Sequence, residues 1–285
     1  MSATILDGTR IASEIRAELA AEVKAMTANG ARPGLAVILV GENPASEIYV
    51  RGKVKSCVEL GIYSEKITPP DTITTVELLQ IIQGLNARDE IDGILVQMPL
   101  PPQVDKQSVL VSVRADKDVD GFHPVNVGNL VANNPGPRAC TPAGIMEMLR
   151  RYEIPIAGKN AVVVGRSDIV GKPMGLLLLH QNATVTICHS KTSDLPGECR
   201  RADILVAAMG RPAFLTADFI QPGATVIDVG MNRTADGKLI GDVEPEAVRE
   251  LAGAYTPVPG GVGPLTIAML MANTVSAAER HLCSA

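Results

Sequence analysis

The stretch Ala161-Val-Val-Val-Gly165-Arg-Ser-Asp-Ile-Val-Gly171-Lys-Pro-Met-Gly175 decides the fold. An apolar run of strand length enters a glycine-rich turn, and a segment of helical character follows over residues 172–181. Such a turn, between a strand and a helix, presents backbone N–H groups to the pyrophosphate of a dinucleotide. The glycines are separated by five and then three residues, which departs from the usual dinucleotide fingerprint. The pattern still predicts a Rossmann-like unit.

The end of the next predicted strand, residues 183–188, indicates which dinucleotide is bound. A site for NAD usually places Asp or Glu there to bind the ribose 2′-hydroxyl, but this strand runs into His189-Ser-Lys191. Arg166 lies in the glycine-rich turn, and cationic and hydroxyl groups together suit a 2′-phosphate. The missing acid therefore favours NADP. His189 and Lys191, each taken alone, fit a solvated loop equally well.

Strands and helices alternate on both sides of the glycine-rich stretch. The predicted strands are residues 34–40, 62–67, 91–97, 160–164, 183–188, 203–208 and 224–229. The predicted helices are residues 9–29, 45–60, 75–86, 142–152, 172–181 and 264–281. This order predicts an α/β protein with parallel sheets, since helices cover both faces of such sheets.

A loop-rich segment, residues 115–140, separates two sets of these alternations. We therefore expect two α/β domains around a cleft, the second of them a Rossmann-like NAD(P)-binding domain. The expected catalytic domain covers residues 1–120 together with a C-terminal helix at about 264–285. Residues 121–263 form the expected NADP-binding domain.

Composition excludes several other classes of protein. The 285 residues carry a net charge of −5 with no Trp, which argues against a nucleic-acid surface. No apolar run reaches membrane-spanning length, and the start of the chain lacks a secretory pattern. Five scattered Cys and four scattered His lack metal-ligand spacing, so we expect no metal and a reducing, cytoplasmic compartment.

The first predicted domain contains a candidate catalytic group. Tyr49 and Lys53 lie four residues apart on a predicted helix, so they share one face. A lysine partly removed from water beside a phenol can serve as a general acid or base. Gln97 lies at the carboxyl end of a predicted strand, where ligand sites of parallel sheets lie. Asp118 and Asp120 follow on a loop, where they suit either ligand binding or turn formation.

Together these segments resemble the bifunctional methylenetetrahydrofolate dehydrogenase/methenyltetrahydrofolate cyclohydrolase family, over essentially the whole chain. The matching stretches are Ser46-Glu-Ile-Tyr49-Val-Arg-Gly-Lys53, Asp92-Gly-Ile-Leu-Val-Gln97-Met-Pro-Leu-Pro101, Lys117-Asp-Val-Asp120-Gly-Phe122, Cys140-Thr141-Pro-Ala-Gly144, Val164-Gly165-Arg-Ser-Asp-Ile-Val-Gly-Lys-Pro173 and Thr256-Pro-Val-Pro-Gly-Gly-Val-Gly-Pro-Leu-Thr266. The resemblance implies oxidation of 5,10-methylenetetrahydrofolate with NADP and hydrolysis of the methenyl product to 10-formyltetrahydrofolate. It also implies a homodimer that forms through the cofactor domain.

The resemblance further assigns roles to residues. It implies that Lys53 is the general acid/base, that Tyr49 flanks the folate ring, that Gln97 hydrogen-bonds Lys53 and that Asp120 anchors the pterin. Further substrate contacts are implied for Pro259, Gly260, Gly261 and Thr266. Cofactor contacts are implied for Thr141, Gly165, Arg166, Ser167, Ile169, Ser190, Gly230 and Met231.

Two alternatives remain open on the residues alone. One is an NADP-dependent dehydrogenase of another small substrate, such as a shikimate-like acid, on a two-domain fold. The other is a non-enzymatic module that senses a dinucleotide. The second alternative predicts that Lys53 is dispensable, whereas the folate hypothesis requires it for hydrolysis.

Overall fold

A computed structural model describes residues 3–234 and 236–284 of the chain. The strands are β1 Thr4–Ile5, β2 Gly34–Ile38, β3 Tyr63–Ile67, β4 Gly93–Val96, β5 Asn160–Val164, β6 Thr184–Cys188, β7 Ile204–Ala207, β8 Thr225–Asp228, β9 Asn232–Arg233, β10 Leu239–Ile240 and β11 Ala254–Tyr255. The helices are α1 Gly8–Ala28, α2 Pro44–Leu60, α3 Thr75–Asn86, α4 Lys106–Ser112, α5 Pro124–Val131, α6 Cys140–Arg151, α7 Gly171–His180, α8 Leu195–Cys199, α9 Pro245–Leu251 and α10 Val262–Ser284. A 3₁₀ turn spans Ala217–Phe219.

The chain divides into two compact units. The six-stranded unit comprises the described residues up to Ser13 together with Thr141–Thr266. The three-stranded unit comprises Glu14–Cys140 together with the described residues from Ile267 onward. Each unit is named after its main sheet.

The unit boundaries differ from the expected ones at the start of the chain and around residues 121–140. Strand β1 pairs in parallel with β11, and the Leu6 N–H donates to the Tyr255 carbonyl at 2.7 Å. The first residues therefore extend the six-stranded sheet. In the loop-rich segment, Asn273 of α10 donates its side-chain N–H to the Arg138 carbonyl at 2.9 Å. That segment consequently belongs with the three-stranded unit.

The three-stranded sheet has the order β3-β2-β4, and both strand pairs are parallel. Strand β2 lies in the centre, and all five of its residues are buried. One face packs against α3 through Leu78, Ile82 and Leu85. A Thr74/Glu77 capping box satisfies the N-terminal amides of α3 and fixes where it begins.

The six-stranded sheet has the order β1-β11-β8-β7-β5-β6, and every pair is parallel. Its core includes Val162, Leu205 and Val226, each almost completely buried. Because the strands are parallel, all their carboxyl ends lie along one edge. The loops at this edge are where an open α/β sheet binds its ligand.

Several short elements were not expected from the sequence. Helix α5 lies inside the segment expected to be loop-rich and begins with Pro124, while the His123 side chain accepts the Val125 N–H at its start. Its Asn and Gly content hides the apolar period. Strands β9 and β10 form an antiparallel pair of two residues each, which is too short for a period to show. Within the described ranges, no helix is both long and apolar enough to cross a bilayer.

Candidate active site

The three-stranded unit brings Lys53 and Gln97 together. Helix α2 carries Lys53, and its ammonium nitrogen Nζ donates to Gln97 Oε1 at 2.9 Å. Gln97 directly follows β4, with its backbone N–H bound to the Ile38 carbonyl at 2.8 Å. The side-chain Nε2 of Gln97 donates to the Met98 carbonyl at 2.8 Å. This second bond fixes the amide orientation, so that only its oxygen can face Lys53.

Tyr49 lies one turn before Lys53 on α2, as the spacing predicts. Its side chain is 43% exposed, whereas Lys53 is half-buried and Ser46, one turn further back, is buried. The helix therefore presents an aromatic side chain and a partly desolvated cation on neighbouring surface. A flat ligand can pack on the ring while its polar edge meets the lysine.

The structure shows different surroundings for the two loop acids, Asp118 and Asp120, which residue type and spacing alone do not distinguish. Asp118 is buried and accepts hydrogen bonds from the Gly121 N–H, the His123 N–H and the Asn126 side chain, at 2.8 to 3.1 Å. Asp118 therefore stabilises the turn. Asp120 is half-buried and has none of these loop bonds. This difference is consistent with the predicted ligand-binding role of Asp120.

Asp120 has an unusual acidity for its type. Burial raises its pKa to about 6, the nearby Lys53 ammonium opposes that rise, and the Asp118 carboxylate adds to it. The Lys53 charge therefore acts on the Asp120 carboxyl, so the two groups lie near each other in the three-stranded unit. A carboxyl group whose pKa is raised by burial beside a lysine is a feature common at functional sites.

Hydrogen bonds from the C-terminal helix α10 hold the loop that carries Asp120. Asn273 Nδ2 donates to the carbonyls of Val119 and Arg138 at 2.8 and 2.9 Å, and the Cys140 thiol points at the Val119 carbonyl. Gly121 has φ +76°, and a Cβ there would lie 2.7 Å from the Arg138 backbone. Only glycine fits this position. No motif predicted a role for Asn273, because it lies in an apolar helix far along the chain.

The six-stranded unit holds the predicted cofactor turn at the carboxyl end of β5. Gly165 has φ +142°, and a Cβ there would lie 2.2 Å from the Ala208 carbonyl oxygen after β7. The Ser167 hydroxyl accepts the N–H groups of Val170 and Gly171 at the start of α7. Arg166, Ser167 and Ile169 are exposed on this turn. The turn is thus closely packed beneath and open above, as a phosphate site requires.

The carboxyl end of β6 adjoins the cofactor turn, because β6 pairs with β5. His189 forms a tight turn there: its N–H donates to Thr192 Oγ1, and its Nδ1 accepts the Lys191 N–H. Ser190 and Lys191 are exposed, and no carboxylate lies between Cys188 and Thr192. The groups present fit a ribose 2′-phosphate.

The remaining predicted residues of this unit lie on loops at the same edge or at helix ends. Gly230 and Met231 follow β8, and Pro259, Gly260 and Gly261 follow β11. The Gly260 carbonyl accepts the Thr9 N–H at 3.1 Å. The hydroxyls of Thr141 and Thr266 lie 2.8 Å apart. The structure thus joins these two threonines and gathers the other residues along one sheet edge.

The structure gives no sign of a metal centre in the part of the chain it describes. Among residues 3–234 and 236–284, no group of three or more His, Cys, Asp or Glu side chains is arranged to hold an ion. The five cysteines are free, four of them buried and Cys283 exposed.

The sheet with its glycine-rich turn defines an NAD(P)-binding unit, and the lysine, glutamine and aspartate define a second unit with acid–base chemistry. Two family models match accordingly. The tetrahydrofolate dehydrogenase/cyclohydrolase catalytic domain matches residues 6–120, and the NAD(P)-binding domain of the same family matches residues 139–282.

Known proteins agree with this match. A "Bifunctional protein FolD" of Solibacter usitatus is 66% identical over 299 residues, covering 97% of this chain and 98% of the relative. The bifunctional methylenetetrahydrofolate dehydrogenase/cyclohydrolase of Campylobacter jejuni is 47% identical, with a TM-score of 0.96 and coverage of 97% and 99%. The corresponding Trypanosoma brucei enzyme, solved with NADP and an inhibitor, is 38% identical, with a TM-score of 0.95 and 99% of both chains covered.

This chain belongs to the tetrahydrofolate dehydrogenase/cyclohydrolase family. The family expected from the motifs is thereby confirmed, as are the α/β fold with parallel sheets and the NAD(P)-binding unit. The roles of individual residues stay predictions that the geometry supports.

Proposed function

We propose that this chain oxidises 5,10-methylenetetrahydrofolate with NADP to the 5,10-methenyl form and hydrolyses that product to 10-formyltetrahydrofolate. The observation that carries the proposal is the 2.9 Å hydrogen bond from Lys53 to Gln97, beside the acid Asp120, in a chain of this family. A purely dinucleotide-sensing module has no need of that arrangement, and neither does a dehydrogenase without a hydrolytic step.

Lys53 moves the protons of the hydrolytic step. As a neutral amine it accepts a proton from the water that attacks the methenyl carbon, and it returns that proton to the ring nitrogen as the carbon–nitrogen bond breaks. The remaining hydroxyl proton leaves to solvent as the formyl carbonyl forms, so one proton is released overall. Gln97 receives the lysine hydrogen bond through Oε1 and so fixes where Nζ points. Because Gln97 is itself held by the Met98 carbonyl, the lysine is oriented before substrate arrives.

Asp120 and Tyr49 position the folate. The Asp120 carboxylate accepts hydrogen bonds from the N–H groups of the pterin, and the exposed Tyr49 ring packs on its flat face. Pro259, Gly260, Gly261 and Thr266 are the further residues assigned to substrate. These contacts are needed in both reactions, since both begin with a bound folate.

NADP fits the six-stranded unit through the exposed turn of Gly165, Arg166, Ser167 and Ile169, together with Ser190, Gly230, Met231 and Thr141. The turn of Gly165 admits no side chain, and the end of β6 offers hydroxyl and cationic groups without an acid. Bound NADP supplies the acceptor for the hydride that leaves the methylene carbon. The protein contributes mainly proximity and orientation to that transfer.

A cytoplasmic location and a homodimer complete the proposal. Four buried free cysteines suit a reducing compartment. For the dimer, β6 is an edge strand of the six-stranded sheet, and Ile187 on it and Leu179 on α7 are 41% and 53% exposed. Edge strands with exposed apolar side chains favour pairing with another chain. Light scattering of the purified protein tests the dimer, and a monomer at micromolar concentration contradicts it.

A panel of substrates and cofactors tests the activity. Purified protein is given methylenetetrahydrofolate with NADP or NAD, and separately methenyltetrahydrofolate without nucleotide. We expect reduced nicotinamide in the first assay, with NADP preferred, and loss of methenyl absorbance above the spontaneous rate in the second. Absence of reduced nicotinamide with both cofactors rejects the dehydrogenase, and hydrolysis at the spontaneous rate rejects the cyclohydrolase.

A further inference from the structure

Two aspartates beneath the cofactor edge of the six-stranded sheet are buried without a cationic partner in the described structure. Asp242 is 0% exposed and Asp228 is 6% exposed. Burial of a carboxylate costs free energy unless hydrogen bonds replace its water. Backbone N–H groups supply most of those bonds here. They come from the loop after β7, from residues 242 and 243, and from Gly230, which is a predicted cofactor residue.

Hydrogen bonds to the Asp242 side chain connect the loop after β7 to the segment after β8. Its Oδ2 accepts the Met209 and Gly210 N–H groups at 2.7 and 2.9 Å, and its Oδ1 accepts the Arg211 N–H at 2.9 Å. Three successive amides thus form an anion-binding nest that a side chain of the protein itself occupies. The fourth donor is the Asn232 side chain, at 2.9 Å from Oδ1.

Asp228 continues the connection toward the cofactor loop. Its Oδ1 accepts the N–H groups of Gly230 and Asp242 at 2.9 and 2.8 Å, and its Oδ2 accepts the Val243 N–H at 2.9 Å. Its own N–H donates to the hydroxyl of Thr256, the residue that follows β11. Asp228 therefore joins the ends of β8 and β11 to Asp242.

One predicted cofactor residue, Gly230, packs directly on Asp242, and a second, Gly165, packs on the residue that precedes the nest. A Cβ on Gly230 would lie 2.3 Å from the Asp242 N atom and 2.4 Å from its Oδ1, so the Gly230 backbone is packed on Asp242. A Cβ on Gly165 would lie 2.2 Å from the carbonyl oxygen of Ala208, which precedes the nest of residues 209–211. A shift of Asp242 would therefore move Ala208 and, with it, the cofactor turn at Gly165. It would also move the loop after β8, because Gly230 packs on Asp242.

We propose that Asp242 is a positioning residue for dinucleotide binding, which holds the loops after β5, β7 and β8 at the spacing that the cofactor requires. It touches no ligand itself. The proposal rests on the proposed function, because that function assigns the dinucleotide to this edge. The positioning role separates the two activities, because dehydrogenation needs the bound dinucleotide, whereas hydrolysis of the methenyl group needs Lys53 and bound folate but no dinucleotide.

The test is Asp242→Asn in the full chain, with both activities measured. An amide turns an NH₂ group toward donors, so the nest loses acceptors and the loops shift. We expect the KM for NADP to rise about tenfold or more, with hydrolysis of methenyltetrahydrofolate within about twofold of wild type. Direct titration with NADP, read by calorimetry, is expected to show the same loss of affinity.

The matched control is Asp203→Asn in the same unit. Asp203 also accepts a backbone N–H, from Asn160 at 2.9 Å, but at the amino end of β5, the edge away from the cofactor loops. Its KM for NADP should match wild type. Asn232→Ala is the milder second variant: it removes one of the four donors to Asp242, and a smaller rise of the same KM is expected.

The outcomes are distinct. Wild-type protein without either activity rejects the proposed function, whatever the variants do. Active wild type with an unchanged KM for NADP in folded Asp242→Asn overturns the positioning role alone. Equal loss of both activities in both Asp242→Asn and Asn232→Ala also overturns it, because the residue then serves only the fold.

Discussion

Lys53 Nζ and Gln97 Oε1 lie 2.9 Å apart, joined by a hydrogen bond whose acceptor orientation is set by the Met98 carbonyl. The lysine comes from a helix and the glutamine from the end of a strand, forty-four positions away in the sequence. The pair can therefore form only after the three-stranded sheet and α2 have packed. It is the structural feature from which the proposed hydrolytic chemistry follows.

Removal of the acceptor tests that pair. In Gln97→Leu the lysine loses the group that directs it, and we expect hydrolysis of methenyltetrahydrofolate to fall about 10- to 100-fold. The measurement is kcat for the hydrolysis across pH. Gln103→Leu is the control, since Gln103 in the same unit also donates its side-chain N–H to carbonyls, those of Asp71 and Ile73. Equal losses in both variants contradict a specific role for Gln97.

The ionised Asp120 carboxylate should lower the free energy of unfolding, although the residue serves the proposed function. Its pKa is raised to about 6 by burial, from an ordinary value of 3.8, so the folded state binds more protons than the unfolded state between those pH values. Stability of the wild type then falls as pH rises through this window, and the cost persists above it. Asp120→Asn cannot ionise and should be about 1–2 kcal/mol more stable at pH 8, with the advantage vanishing near pH 4.

Thermal unfolding of Asp120→Asn and wild type across pH measures this difference. The control is Asp118→Asn, which replaces a carboxylate that accepts three hydrogen bonds and should be destabilising by about 1–3 kcal/mol. If Asp120→Asn is less stable than wild type at pH 8, the assignment of Asp120 as a ligand-binding acid loses its energetic support.

The substitution Gly165→Ala should impair the NADP-dependent activity selectively, because it alters the cofactor turn. The added Cβ would lie 2.2 Å from the Ala208 carbonyl oxygen, so the turn must move. We expect loss of NADP-dependent oxidation with hydrolysis retained. Gly158→Ala controls for backbone strain alone, because Gly158 also has a positive φ, +76°, but nothing lies within 4 Å of a Cβ there. NADP turnover unimpaired in Gly165→Ala contradicts the assigned cofactor turn.

An acid introduced at the end of β6 should change cofactor preference. Ser190→Asp places a carboxylate where a 2′-phosphate is expected, so kcat/KM for NADP should fall about 10- to 100-fold while that for NAD changes little. Ser193→Asp adds the same charge further along the exposed loop and should have a smaller effect. An unchanged ratio of the two cofactors in Ser190→Asp places the ribose elsewhere.

The sequence predicted the elements whose apolar pattern is long and uninterrupted. Helix α1 buries Ile11, Ile15, Leu19 and Val23 as its spacing indicates, and strand β5 begins and ends at the predicted residues. It did not predict β1, because two residues carry no period and their pairing with β11 is remote in the chain. That one pairing moves the start of the chain into the six-stranded unit.

The family resemblance predicted the hydrogen bond between Lys53 and Gln97, and the structure contains it. What the sequence could not supply were relations that exist only in three dimensions. Turn chemistry alone does not distinguish Asp118 from Asp120; the family resemblance singles out Asp120, and the structure shows that Asp118 instead binds Gly121, His123 and Asn126. Asn273 and Asp242 were missed for the same reason, since their partners are backbone groups of distant loops.

The rate at which Lys53→Met hydrolyses methenyltetrahydrofolate, measured against wild type without nucleotide, tests the central claim most directly. Met matches the unbranched apolar stem of lysine but has no amine, so it cannot move a proton. We expect the rate to fall by at least about 100-fold, to near the spontaneous rate, with NADP binding intact. A Lys53→Met protein that hydrolyses the methenyl group at a rate close to wild type contradicts the proposed mechanism.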